Sequence, residues 1–167
     1  MTATEAGSAS GAASGAPSGA ERGFRVRGLG EVAIRCADLD AMERFYAEVI
    51  GLDRLAAREG GIVFFRIAPG HAGHTTVLAL FAHDATVRPG LHPTGTRPVT
   101  GAGSALHHLA FSLGWEEQAA AMAWYDRIGQ PYRVEHFDWI GWRGVFTQDP
   151  EGNTVELVAA DPAWGPR

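Results

Sequence analysis

The same order of predicted elements occurs twice along this chain, and this repeat limits the folds that the chain can adopt. Each half begins with a strand, continues with a helix that ends at a glycine, and closes with strands rich in β-branched and aromatic residues. Glu31 and His108, each at the start of the first strand of its half, lie 77 positions apart (31 to 108). Self-similarity at a fixed spacing indicates two copies of one supersecondary unit.

The hydrophobic pattern of the first half predicts its secondary-structure elements. Alternation predicts a strand over residues 31–36, and apolar residues at helical spacing predict a helix that ends at Gly51. Strands over residues 62–68 and 75–82 follow, separated by a turn rich in glycine and proline.

The second half repeats this pattern. A strand is predicted over residues 106–113 and a helix over residues 115–129, followed by strands in "YRVEHFDW", "GWRGVFTQ" and "TVELVAA". The last strand places a carboxylate, Glu156, on the same predicted face as Thr154 and Val158. Burial of an unpaired carboxylate costs free energy. Therefore either that sheet face is exposed to solvent, or Glu156 interacts with another group.

The amino-acid composition distinguishes a tail, a domain and a linker along the chain. Residues 1–23 are rich in Ala, Gly and Ser with almost no large apolar side chains, which predicts a disordered tail. Residues 24–167 are predicted to form one domain, with modules at 24–84 and 105–160. The Pro, Gly and Thr content of residues 85–104 predicts a linker between the modules.

Charge and cysteine content exclude several classes of protein. The formal net charge is -5 and no block of Lys or Arg is present, which argues against a nucleic-acid partner. No stretch is apolar for long enough to cross a membrane. The single cysteine, Cys36, excludes an intramolecular disulfide and predicts the cytoplasm as the location. A small molecule is therefore the expected partner.

Three segments carry a resemblance to a known family: "DLDAMERFYAEVIGL", "HHLAFSL" and "DPEGNTVELV". In their order and spacing the chain resembles, over about residues 28–160, the vicinal oxygen chelate superfamily, which includes glyoxalases, extradiol dioxygenases, and fosfomycin- and bleomycin-resistance proteins. The resemblance implies an α+β fold of two βαβββ modules whose mixed sheets form a cup. It also implies a homodimer, which fits the sheet edges that an open cup would leave uncovered.

The resemblance further implies metal ligands on the first and last strands of the modules: Glu31, His108 and Glu156. The fourth equivalent position is apolar, either Leu78 or Ala79. One imidazole and two carboxylates suit a divalent ion such as Mn, Fe, Co, Ni or Zn. Three protein ligands leave positions open for adjacent oxygens of a small-molecule substrate.

The ligand set favours lyase or isomerase chemistry over oxygen chemistry, because a non-heme iron oxygenase uses two histidines and one carboxylate. Glu156 and His136 are the predicted catalytic residues, with His136 as a general base or a group that orients substrate. A structural pair formed by His136 and Asp138 is the alternative.

Aromatic side chains are the predicted substrate contacts. Trp139 and Trp142 flank Gly141 near the expected rim of the cup, where they could stack on a planar substrate. Arg35, on the predicted strand face of Glu31, is the third predicted substrate contact.

Other interpretations of these residues remain open at this point. Glu31 could pair with Arg27, Arg35 or solvent, and strand alternation alone does not decide whether His107 or His108 points inward. A different class of function is also compatible with the sequence: a metal-free protein of the bleomycin-resistance type that sequesters an aromatic drug or metabolite. The tryptophans and the apolar fourth position favour that alternative.

Overall fold

Two four-stranded mixed sheets form the framework of the protein. The computed structural model describes residues 25–85 and 97–164. The predicted tail at residues 1–23 and most of the predicted linker therefore lie outside the described residues. Within the described ranges, no helix is long and apolar enough to cross a membrane.

The first sheet comes from the first half of the chain. Its strands are β1 (Glu31–Cys36), β2 (Asp53–Arg54), β3 (Ile62–Pro69) and β4 (Thr75–Ala82). They lie in the order β1-β4-β3-β2, with β1 parallel to β4 and the other pairs antiparallel. Helix α1 (Leu39–Arg44) follows β1 and continues as a π-helical turn over Phe45–Val49. The carboxylate of Asp38 caps α1 by accepting the N–H of Ala41.

The second sheet repeats this arrangement. Its elements are β5 (His108–Ser112), α2 (Glu117–Ile128), β6 (Arg133–Phe137), β7 (Trp142–Gln148) and β8 (Thr154–Ala160). The strand order is β5-β8-β7-β6, again with the first strand parallel to the last. Helix α2 ends at Gly129, whose φ of 71° lies in the left-handed region, as the sequence predicts.

Strand pairing shows how closely the two halves correspond. Ala33 of β1 pairs with Ala79 of β4, and Ala110 of β5 pairs with Glu156 of β8. Both members of the second pair lie 77 positions after those of the first (33 to 110, 79 to 156). The structural equivalent of Glu156 is therefore Ala79 rather than Leu78. The α+β fold with two equivalent modules and mixed sheets is confirmed.

The two sheets share one apolar core. Leu78 and Phe65 of the first sheet and Val145 and Leu157 of the second belong to the same buried cluster. The ring of Tyr46 joins the halves, since its centroid lies 6.3 Å from that of Phe65 and 6.4 Å from that of Phe111.

The opposite face of each sheet points away from this core. We call these surfaces the first cup face, which includes Glu31, Ala33, Arg35, Phe64 and Phe81, and the second cup face, which includes His108, Ala110, Trp142, Phe146 and Glu156. Glu31 and Ala33 on β1 and His108 and Ala110 on β5 are exposed. Each cup face is therefore open at its first strand.

Candidate functional site

A histidine and a glutamate meet on the second cup face. Glu156 pairs with Ala110 on one side and with Phe146 on the other, so their side chains share one surface. The imidazole of His108 reaches over from β5, and its Nε2 atom lies 3.5 Å from Oε2 of Glu156. The sheet register thus joins two of the sequence-predicted ligands.

Burial of the Glu156 side chain affects the pKa of its carboxyl group. The Glu156 side chain is only 8% exposed, whereas that of His108 is 37% exposed. Burial raises the pKa of the Glu156 carboxyl above its ordinary value, and the nearby imidazole lowers it by a smaller amount. A partly desolvated carboxylate beside an imidazole is suited to accept a cation or a proton.

His107 joins this pair, which the strand alternation did not predict. The Nδ1 atoms of His107 and His108 lie 2.7 Å apart, and the ring centroids 5.0 Å apart. His107 precedes the first residue of β5, so the alternation of strand faces does not apply to it. A contact between the two Nδ1 atoms requires one ring to hold the proton and the other to accept it. The adjacent histidines in "LHHL" were the sequence signal.

Glu31 does not lie on the same cup face as His108 and Glu156. It begins β1 on the first cup face, where it is exposed. Among the residues that the structure describes, no three His, Cys, Asp or Glu side chains lie close enough together to hold one metal ion. A single copy of the chain therefore joins His108 to Glu156 but does not bring Glu31 to them, and the three-ligand set stays a prediction.

His136 does not reach the candidate site. In β6 it pairs with Arg143, one position away from the Glu135–Gly144 pair that lies on the second cup face. Its side chain therefore points to the other side of the sheet from Glu156. Asp138 follows the end of β6, so the two residues do not share a strand. Because the two side chains lie on opposite faces of the sheet, His136 does not contact Glu156.

The predicted substrate contacts are separated from one another. Arg35 lies on the first cup face, opposite Phe81. Trp142 begins β7 on the second cup face and is 44% exposed. Trp139 lies in the turn before β7 and is 77% exposed. Only Trp142 shares a surface with the His108–Glu156 pair.

A pocket lies directly beside His108. Its volume is about 740 Å³, and its walls include His107, His108, Tyr132, Arg133 and Phe146. The guanidinium of Arg133 makes an exposed ion pair with Glu135 at 2.6 Å. The pocket thus combines aromatic walls with titratable and cationic groups, as small-molecule sites commonly do.

Comparison with known proteins agrees with this fold. Residues 28–157 match the sequence model of the Glyoxalase/Bleomycin resistance protein/Dioxygenase superfamily. No curated protein matches the chain.

Several solved structures share the fold. A lactoylglutathione lyase from Agrobacterium tumefaciens is 24% identical with a TM-score of 0.56, over 79% of this chain and 92% of that one. A glyoxalase/bleomycin resistance protein/dioxygenase from Nocardioides is 17% identical with a TM-score of 0.61, over 86% of this chain and 90% of that one. A genomically encoded fosfomycin resistance protein from Listeria monocytogenes is 16% identical with a TM-score of 0.54, over 83% of this chain and 97% of that one.

Proposed function

Because the chain belongs to the glyoxalase/bleomycin resistance protein/dioxygenase superfamily, we propose that it is a metal-dependent enzyme that acts on a small molecule by lyase or isomerase chemistry. The His108–Glu156 pair is the observation that carries the proposal, since a buried carboxylate oxygen lies 3.5 Å from an imidazole nitrogen. Nitrogen and oxygen donors of this kind suit Mn, Fe, Co, Ni or Zn. Glu31 is the proposed third ligand.

The third ligand comes from a second copy of the chain. Glu31 is exposed on the first cup face, which points away from the core that the two sheets share. In the proposed homodimer, the first cup face of one copy covers the second cup face of the other. Both faces carry aromatic pairs that such a contact would bury, Phe64–Phe81 on the first and Phe137–Phe146 on the second.

Each residue of the site has a separate role in the proposal. The bound ion supplies Lewis acidity to adjacent oxygens of the substrate. His108 would hold the ion through its Nε2 atom, while its Nδ1 atom contacts Nδ1 of His107 and so orients the ring. Glu156 would hold the ion and would also accept a proton from substrate. The pocket beside His108 holds the rest of the substrate between Phe146 and Tyr132.

A second candidate function is metal-free sequestration of an aromatic drug or metabolite. The observation that favours it is the apolar residue Ala79 at the position that corresponds to Glu156, since a four-ligand metal site would need a donor there. Trp142, which is 44% exposed on the second cup face, could stack on such a ligand. Glu156 would then face a cationic or hydroxylated group of the ligand.

Metal content separates the two functions. We expect the purified, untagged protein to contain a divalent metal in near-stoichiometric amount by inductively coupled plasma mass spectrometry, and Glu156→Gln to lack it. Wild-type protein that stays metal-free after incubation with Mn²⁺, Co²⁺, Ni²⁺ and Zn²⁺ contradicts the enzyme proposal and favours sequestration.

Mixing of variants tests whether two copies share the site. Glu31→Gln and His108→Ala should each bind little metal alone, but mixed dimers should regain one intact site, because each copy supplies what the other lacks. His108→Ala mixed with Glu156→Gln is the matched control, since both changes lie on the same cup face and no intact site can form. Equal metal content in the two mixtures excludes the shared site.

A further inference from the structure

A glycine occupies the centre of β7, beneath the candidate site. Gly144 is buried and pairs with Glu135 of β6 and Val158 of β8. Glycine weakens a strand because it is flexible when unfolded and has no side chain to pack. Its φ is not in the left-handed region, so the backbone conformation does not require glycine here. The reason for a glycine must lie in what surrounds it.

The space above Gly144 is filled by two neighbouring side chains. A Cβ atom at this position would overlap Oε1 of Glu156 and would lie 2.6 Å from Cε2 of the Phe146 ring. Phe146 pairs directly with Glu156, and Gly144 is the next residue of β7 on the same face. The carboxylate and the ring edge therefore occupy the volume that a side chain at residue 144 would take.

The two oxygens of the Glu156 carboxylate have different surroundings. Oε2 lies 3.5 Å from Nε2 of His108, whereas Oε1 lies above Gly144. We propose that Gly144 is a positioning residue, whose missing side chain lets the Glu156 carboxylate lie beside His108 before a metal or substrate binds. This inference deepens the proposed function, on which its metal-binding consequence rests.

The first experiment measures metal affinity with Ni²⁺ as the probe. In Gly144→Ala, an oxygen of Glu156 must move by about 1 Å to reach ordinary contact distance, a displacement large enough to matter at a functional site. By isothermal titration calorimetry on untagged protein, we expect Ni²⁺ affinity to fall by about 10- to 100-fold. Ser112→Ala is the matched control, because Ser112 is an exposed residue of the same cup face two strands away; its affinity should equal that of wild type.

A shorter acidic side chain at residue 156 distinguishes a positioning role of Gly144 from general destabilisation of the protein. Glu156→Asp draws the carboxylate back by one methylene, away from residue 144. Adding Gly144→Ala to Glu156→Asp should therefore cost less affinity and less thermal stability than adding it to wild type. A loss of the same size in both backgrounds overturns the proposal, as does Ni²⁺ affinity of Gly144→Ala equal to that of wild type.

A metal-free measurement keeps this inference distinct from the proposed function. In the presence of a chelator, Gly144→Ala should lower Tm more when residue 156 is glutamate than in a Glu156→Ala background, because the overlap with the carboxylate is then absent. Equal falls in Tm overturn the positioning role whether or not metal binds. A smaller fall in the Glu156→Ala background, together with wild-type protein that binds none of Mn²⁺, Co²⁺, Ni²⁺ and Zn²⁺, supports the placement of the carboxylate and refutes the proposed metal site.

Discussion

At the scale of single residues, Asp149 holds the two modules together. Its carboxylate accepts hydrogen bonds from the backbone N–H groups of Glu151 and Asn153 and from the Asn153 amide. It also accepts the hydroxyl of Tyr46, which belongs to the first module, at 3.0 Å. Burial and the negative charge of Asp149 both raise the pKa of Tyr46, so Tyr46 stays a hydrogen-bond donor at any ordinary pH.

Two buried tyrosines should respond differently to loss of the hydroxyl. Tyr46→Phe removes a hydrogen bond to a buried carboxylate, so we expect it to lower the free energy of unfolding by about 1.5–3 kcal/mol. The hydroxyl of Tyr125 is buried without a partner among the described residues, so Tyr125→Phe should leave stability unchanged or raise it. Urea unfolding followed by circular dichroism measures both. Equal losses in the two variants would contradict the assigned hydrogen bond.

At the scale of elements, the sequence predicted strands from alternation and from β-branched and aromatic content. The predicted strands at residues 31–36 and 75–82 match β1 and β4. β2 was missed, because two residues are too short to show any period. The face of His107 was also unpredictable, since alternation holds only inside a strand. The separation of Glu31 from His108 depends on how the sheets pack, which no local pattern encodes.

Helix α2 is fixed to the second sheet by one buried glutamine. Gln118 donates from its side-chain amide to the backbone carbonyls of Arg143 in β7 (2.7 Å) and Leu157 in β8 (2.8 Å). Its carbonyl oxygen accepts the Nε–H of Arg143, whose guanidinium packs over Trp115. Because Gln118 is fully buried, water cannot replace these bonds.

The substitution Gln118→Leu should therefore destabilise the protein much more than Gln130→Leu. We expect the first to lower the free energy of unfolding by about 2–4 kcal/mol, since it leaves buried carbonyls without donors. Gln130 also makes two amide hydrogen bonds, to Thr147 and Gln148, but at a half-exposed site where water can substitute. Its loss should cost about 1 kcal/mol. Chemical denaturation gives both values, and comparable losses would refute the importance of burial here.

At the scale of the whole molecule, the shared core should make the modules unfold together. Leu78 of the first module is fully buried in the same cluster as Val145 and Leu157 of the second. The backbone N–H of Asp38 also donates to the side chain of Glu151, and the indole N–H of Trp124 donates to the carbonyl of Val49. Apolar and polar contacts thus both cross between the modules.

Tryptophan fluorescence can test this coupling, because all five tryptophans lie in the second half of the chain, at residues 115, 124, 139, 142 and 164. Leu78→Ala, a cavity in the first module, should lower the free energy of unfolding by about 2–5 kcal/mol. The denaturation midpoint seen by fluorescence should move as far as that seen by circular dichroism. A fluorescence midpoint that does not move would mean that the modules unfold separately.

The position of the two first strands has a consequence for assembly. β1 and β5 are both edge strands, and each borders a cup face. If the first cup face of one copy binds the second cup face of another, as proposed, the contact joins two different surfaces, and contacts of this kind can close into a pair or continue from copy to copy as a fibre. The relative placement of the two cup faces would determine which of these assemblies forms, and the Tyr46–Asp149 hydrogen bond connects the modules that carry the two faces. We therefore expect a substitution that alters the packing between the modules to change how copies of the chain assemble as well as its stability.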